Sequence, residues 1–142
     1  MLEHKHLIIN ARVNKPLKNT VEAKKWFKRL IAKIDMEILM GPYASYSEQE
    51  GNRGLTAVAI ITTSHIAAHF WDEDEPGVLQ LDIYSCKDFN IEDVFDMIAE
   101  FEPTSVEWHH IDRNGKIIDL KRKTPFKRLN DIINNIWSKI NG

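Results

Sequence analysis

The chain has a single cysteine, Cys86, among its 142 residues, so no disulfide can form within it. It has no run of the roughly 20 apolar residues that a membrane-spanning helix needs. Neither sign of charge dominates: 19 Lys and Arg stand against 21 Asp and Glu, a formal net charge of −2. That balance leaves no overall electrostatic footprint for nucleic acid, and the one short basic run, Lys121-Arg122-Lys123, reads as a solvated turn. The N-terminal MLEHKHLIINARV has charges on both sides of a short apolar run and no small-residue cleavage site, unlike a signal peptide. Gly-x-Gly-x-x-Gly, the Walker A motif and Gly-x-Ser-x-Gly are all missing. These absences point to a soluble, cytoplasmic protein with neither membrane nor nucleic acid as partner. No linker, low-complexity tract or repeat divides the chain, and its length suits one domain, residues 1–142, around one core.

The periodicities that are present alternate between strand and helix. His6–Val13 reads as a strand, and Asn19 or Thr20 caps a helix in which Val21, Ala23, Phe27, Leu30, Ile31 and Ile34 recur at helical spacing. Met36–Tyr43 is a further strand and SYSEQEGNRG a polar loop. The run Gly54–Thr63 is β-prone, and its unbroken apolar character predicts a central strand. HIAAHFW continues that strand or follows a tight break, DEDEPG is a turn, and VLQLDIYSC alternates as a strand. Asn90 caps a second helix with Ile91, Val94, Phe95, Ile98, Ala99 and Phe101 along one stripe. SVEWHHIDRNGKIIDL is a hairpin around Asn114-Gly115, and Thr124-Pro125 opens a third helix, read as additional packing. The order β-α-β-β-β-β-α-β-β-α with short turns predicts an α+β two-layer sandwich, a mainly antiparallel sheet covered on one face by helices.

Few polar residues interrupt the strand signals, and most have a plain reading. His65 and His69 share a strand face but stand too far apart along it to grip one metal, and no third ligand is in pattern, so no metal site is expected. His109 and His110 are neighbours that point to opposite faces. The acids Asp72–Glu75 read as a solvated turn. Ser64, His69 and Cys86 remain. If two strands form a hairpin across DEDEPG, these three approach one another at one end of the sheet. Pattern alone favours a strand-end serine, a hydrogen-bonded histidine and a buried cysteine, the usual place for a lone thiol.

The stretch GLTAVAIITTSHIAAHFWDE, followed by LDIYSC, resembles the short, prokaryotic-type S-adenosylmethionine decarboxylases, which are pyruvoyl enzymes of spermidine synthesis. Their signature is Gly-Val-Ser-Gly, then Glu-Ser-His-Ile-Ser-Ile-His-Thr-Trp-Pro-Glu, then Asp-Ile-Phe-Thr-Cys-Gly. The resemblance is firm over Gly54–Cys86 and weak over the last thirty or so residues. It implies self-cleavage between Thr63 and Ser64, with Ser64 becoming the pyruvoyl group, a ketone that condenses with the amine of S-adenosylmethionine. It implies that His69 assists processing, that Cys86 returns the proton after carbon dioxide leaves, and that Glu73 holds the ribose hydroxyls. Thr56 falls where the family has a processing serine. A homodimer with sites near the subunit interface is implied too, and a second copy would cover the sheet face that the helices leave open.

The chain departs from the family at several positions. Thr63 replaces the Glu before the cleavage serine, Lys87 replaces the Gly after the cysteine, and Trp-Pro-Glu has become Trp71-Asp72-Glu73. The His-x-Phe-x-Pro segment whose aromatic stacks on adenine is replaced by YASYSEQEGNRG, in which Tyr43 or Tyr46 would stack instead or is simply a strand residue. Two alternatives follow from these departures. One is a related pyruvoyl decarboxylase acting on ornithine or arginine. The other is an unprocessed homologue acting as a binding partner.

Overall fold

A computed structural model describes residues 2–120, 131–135 and 138. The elements run β1 (Lys5–Val13), α1 (Thr20–Lys33), β2 (Ile38–Ser47), β3 (Gly54–Ile61), β4 (Ser64–Trp71), β5 (Gly77–Ser85), α2 (Ile91–Ile98), a 3-10 turn Ala99–Phe101, β6 (Pro103–Asp112) and β7 (Ile118–Asp119). Among the described residues the strands form one sheet in the order β2-β3-β4-β5-β1-β6-β7, and every neighbouring pair is antiparallel. The α+β sandwich expected from the sequence is therefore the fold. Most of the proposed third helix, with Lys121–Lys123, lies outside the described residues; residues 131–135 are helical, and Ile132 and Ile133 pack against the core.

Local chemistry explains the helices. Asn19 is the cap of α1, its side-chain oxygen accepting the N–H groups of Val21 and Glu22 at 2.9 and 3.0 Å. The buried stripe is Ala23, Trp26, Phe27, Leu30 and Ile31. Val21, assigned to that stripe from its sequence, is instead exposed, because it lies about 200° around the helix from Ala23. Trp26 takes the inward place and donates its indole N–H to the Met97 carbonyl at 3.2 Å, tying α1 to α2. Asn90 caps α2 as expected.

The strands alternate between two faces. Leu55, Ala57, Ala59 and Ile61 of β3, Ile66, Ala68 and Phe70 of β4, and Leu79, Leu81 and Ile83 of β5 point under the helices and are almost fully buried. Each large side chain among them contributes roughly 1.5–3 kcal/mol by leaving water. The reading of Gly54–Thr63 as a central strand needs correction in two respects. The strand stops at Ile61, and it lies second from the β2 edge. Its apolar continuity does not come from burial on both faces, since Val58 and Ile60 are 41% and 44% exposed on the face without helices. Tyr43, which pairs with Val58, and Ile8 are exposed on that face too. β2 also runs on to Ser47, into the segment read as a polar loop. Gly54 is dictated by close approach: a Cβ there would meet the Phe70 carbonyl oxygen at 1.9 Å.

Candidate active site

The tight break proves to be a two-residue turn. Ile61 pairs with Ser64, leaving Thr62 and Thr63 as the connection between β3 and β4. Ser64 takes φ +147°, a region that side-chain-bearing residues rarely adopt, so the backbone is strained at this peptide. The surrounding contacts hold it there. Thr62 N–H donates to the Glu37 carbonyl at 3.0 Å, and Cys86 N–H donates to the Thr63 carbonyl at 2.8 Å. The Thr63 hydroxyl donates to Met36 Sδ at 3.0 Å and accepts from Ser85 Oγ at 3.0 Å. Ser64 pairs with Ser85 across β4 and β5, so the hairpin expected across DEDEPG forms and brings Ser64 and Cys86 to the same end of it. Cys86 is half-buried.

His69 is not part of that meeting. It lies five residues further along the straight strand β4, about 16 Å from Ser64 at ~3.3 Å per residue. There it faces Thr56 across β3, with Thr56 Oγ1 and His69 Nδ1 2.9 Å apart. Trp71 stacks against the His69 ring at 5.5 Å between centroids, and its indole N–H donates to Asn52 at 2.9 Å. The single-chain expectation that all three residues converge is therefore corrected: the pleat of an unbroken strand keeps its ends apart. Two cavities flank Trp71 on this side. One, of about 330 Å³, is lined by residues including Arg12, Arg53, Glu73 and Gln80; the other, of about 280 Å³, by residues including Asn52, Thr56 and His69. Neither is lined by Ser64 or Cys86. A further cavity, about 570 Å³ between the β1–α1 loop and α1, contains none of these residues.

The remaining candidates occupy different settings. Glu73 accepts the N–H groups of Arg53 at 2.7 Å and Gly51 at 3.2 Å, and so pins the β2–β3 loop beside the cavity it lines. Tyr43 stands exposed on the open face. Tyr46 packs against the core, and its hydroxyl donates to Asp72 at 2.7 Å. Asp72 is not the solvated turn residue expected: it is 6% exposed and also receives Arg53 Nε at 2.7 Å. Burial opposes its ionisation, but the bonds from Tyr46 and Arg53 outweigh this and hold its pKa below the ordinary carboxylate value. Among the described residues no three His, Cys, Asp or Glu side chains are grouped to hold a metal ion. No helix there is long and apolar enough to cross a membrane.

The clamp formed by Ser85, Met36 and Lys87 escaped sequence reasoning. One signal for it was legible. In VLQLDIYS the inward positions Leu79, Leu81 and Ile83 place Ser85 inward as well, a polar residue where the alternation calls for an apolar one.

A strained two-residue turn thus presents Ser64 directly after the Thr63 carbonyl, with Cys86 at the end of the neighbouring strand. Residues 5–114 match the model of the S-adenosylmethionine decarboxylase family, and the chain belongs to that family. It is 36% identical over 66 residues to an S-adenosylmethionine decarboxylase proenzyme of Picrophilus torridus, covering 45% of this chain and 49% of that one. It is 34% identical over 71 residues to the proenzyme of Archaeoglobus fulgidus, covering 49% and 62%. These matches thus span about half the length of the curated relatives. The fold is similar to that of the crystal structure of adenosylmethionine decarboxylase from Aquifex aeolicus, with a TM-score of 0.60 at 15% identity, covering 77% of this chain and 88% of that one.

Proposed function

We propose that this chain is a proenzyme that cleaves itself between Thr63 and Ser64 and then decarboxylates S-adenosylmethionine, the product serving cytoplasmic spermidine synthesis. The single observation that carries the reading is the Thr63–Ser64 junction, where a strained serine follows a carbonyl that already receives the Cys86 N–H. That donor is placed to stabilise the oxyanion that forms when the carbonyl is attacked. The Ser64 hydroxyl oxygen bonds to the Thr63 carbonyl carbon, the C–N bond breaks, and the nitrogen takes the hydroxyl proton, leaving an ester. Loss of the Ser64 α-proton then expels Thr63 as a carboxylate by β-elimination. Water replaces the nitrogen of the resulting dehydroalanine, ammonia leaves, and a ketone remains at residue 64.

The residues present fit a pyruvoyl group at this position. The group supplies an electron sink for loss of carbon dioxide. Cys86, one residue beyond the Ser64–Ser85 pair, holds a proton to return. Thr56 and His69 form the acid–base pair that assists processing. The cavities around Trp71, the larger of the two with Glu73 on its wall, take the nucleoside end of the substrate, and Tyr43 contributes from the open face, whereas Tyr46 supports the site through Asp72. Since His69 and Ser64 lie at opposite ends of β4, a complete site needs a second copy running the other way over the open face. The exposed Tyr43, Val58, Ile60 and Ile8 support such a homodimer.

Intact-mass spectrometry of the purified chain beside a Ser64→Ala variant tests the reading. Two fragments split between residues 63 and 64, the second with a blocked N-terminus, are expected from the wild type and a single mass from the variant. A wild-type chain that stays whole overturns it.

A further inference from the structure

We propose that Ser85 is a positioning residue for self-cleavage, acting through the Thr63 hydroxyl to fix the scissile peptide; this rests on the reading of the chain as a self-processing proenzyme. Ser85 is completely buried at the inward end of β5. Its hydroxyl accepts the Lys87 N–H at 3.0 Å and donates to Thr63 Oγ1 at 3.0 Å, and Thr63 donates onward to Met36 Sδ at 3.0 Å. The result is a directed chain, from Lys87 N–H through Ser85 and Thr63 to Met36, in which each bond polarises the next.

Stability does not account for this chain. It ends on a thioether, a weak acceptor, and replacing a hydrogen-bonded pair by apolar groups of the same shape is often nearly neutral. Orientation does account for it. Thr63 is β-branched and has few rotamers, and only a rotamer that places Oγ1 between Ser85 and Met36 makes both bonds. The Thr63 carbonyl is held separately by the Cys86 N–H at 2.8 Å. One segment, residues 85–87, thus grips residue 63 at its side chain and at its carbonyl. With both held, the 63–64 peptide plane cannot rotate away from the Ser64 hydroxyl, which keeps nucleophile and carbonyl in an attacking arrangement. Lys87 reinforces the grip from outside, its Nζ donating to the Asp35 carbonyl at 2.8 Å and to the Asp35 carboxylate at 3.0 Å, beside Met36.

The test follows chain splitting with time by intact mass in wild type, Thr63→Val, Thr63→Ser, Ser85→Ala and the Thr63→Val/Ser85→Ala double variant. Thr63→Val keeps the shape of the side chain, and it leaves Ser85 an acceptor in Met36 Sδ, 3.7 Å away. Melting temperatures are measured in the uncleavable Ser64→Ala background. Thr63→Val and Ser85→Ala should each slow splitting about tenfold or more. Thr63→Ser should split at close to the wild-type rate. The double variant should be no slower than the slower single, since both break the same Ser85–Thr63 link. Thr63→Val splitting at the wild-type rate overturns the proposal. So do single effects that multiply in the double, or slowing matched in rank by a fall in melting temperature with no rescue by Thr63→Ser. If the wild-type chain does not split at all, the self-processing reading falls, an outcome distinct from wild-type cleavage that is indifferent to residues 63 and 85.

Discussion

The backbone N–H of Cys86 lies 2.8 Å from the carbonyl oxygen of Thr63, joining the end of β5 to the turn that precedes β4. It is part of what holds Ser64 at φ +147°. Such strain is sustained only where the surroundings over-determine the backbone. Glycine adopts this conformation without a Cβ penalty. Ser64→Gly is therefore expected to be more stable than Ser64→Ala by about 1 kcal/mol, measured by urea denaturation of the two uncleavable chains. Equal stability of the two would mean that the surroundings relax the strain.

The separation of Ser64 from His69 along β4 makes a prediction about subunits. His69→Ala alone should split at least tenfold more slowly than wild type, in the range that general acid–base help contributes. Co-expressed with Ser64→Ala, which keeps His69, the His69→Ala chain should recover splitting, because one of the two sites in a mixed dimer is complete. Failure of the mixture to restore splitting would count against a shared site, as would rapid splitting of His69→Ala alone.

Asp72 should link stability to acid pH. Its folded pKa is below its ordinary value of ~3.9, so it stabilises the fold above that pH and the contribution is lost as pH falls through the folded value. Asp72→Asn, placed in the Ser64→Ala background, should cost about 2 kcal/mol at pH 7 by leaving the half-buried Tyr46 and Arg53 poorly matched. The gap to the parent should close below pH ~4. Denaturant titrations at pH 7 and 3.5 measure it, and no difference at pH 7 would refute the assignment.

His110 behaves in the opposite way to a stabilising partner. Both of its ring nitrogens are buried with no hydrogen bond among the described residues. Burial first, and then the nearby Lys5 charge, push its pKa below the ordinary value near 6.5, so it is held neutral and folding loses stability as pH falls from ~6.5 toward the folded pKa. His110→Leu should leave stability unchanged or raise it by about 1 kcal/mol at pH 7, and should flatten the loss between pH 7 and 5. A variant destabilised by more than that would reveal a partner for the imidazole.

Much of the fold was legible from short-range pattern. The helices, their caps Asn19 and Asn90, the hairpin turn at Asp72–Pro76 and the inward–outward alternation of β5 all depend on residues within a few positions of one another. Trp26 was missed and Val21 misassigned because an indole between lysines hides an inward position, while an exposed valine imitates one. Asp72 could not be told from its solvated neighbours, since its partners Tyr46 and Arg53 come from another hairpin.

The sequence by itself determined the identities that the proposed chemistry uses: a serine at the start of a strand, a histidine five positions on, and a cysteine at the end of the next strand. It also determined, through period, which residues of each strand face the helices. Only the tertiary structure decided which of these residues meet. Ser64 comes to the same end of the sheet as Cys86 because antiparallel register folds β5 back on β4, and it is kept from His69 because a strand of fixed rise cannot bring its own ends together. Register is settled by all the pairings of the sheet at once. The clamp on Thr63, drawn from Met36 and from Ser85–Lys87, was therefore out of reach of any local reading.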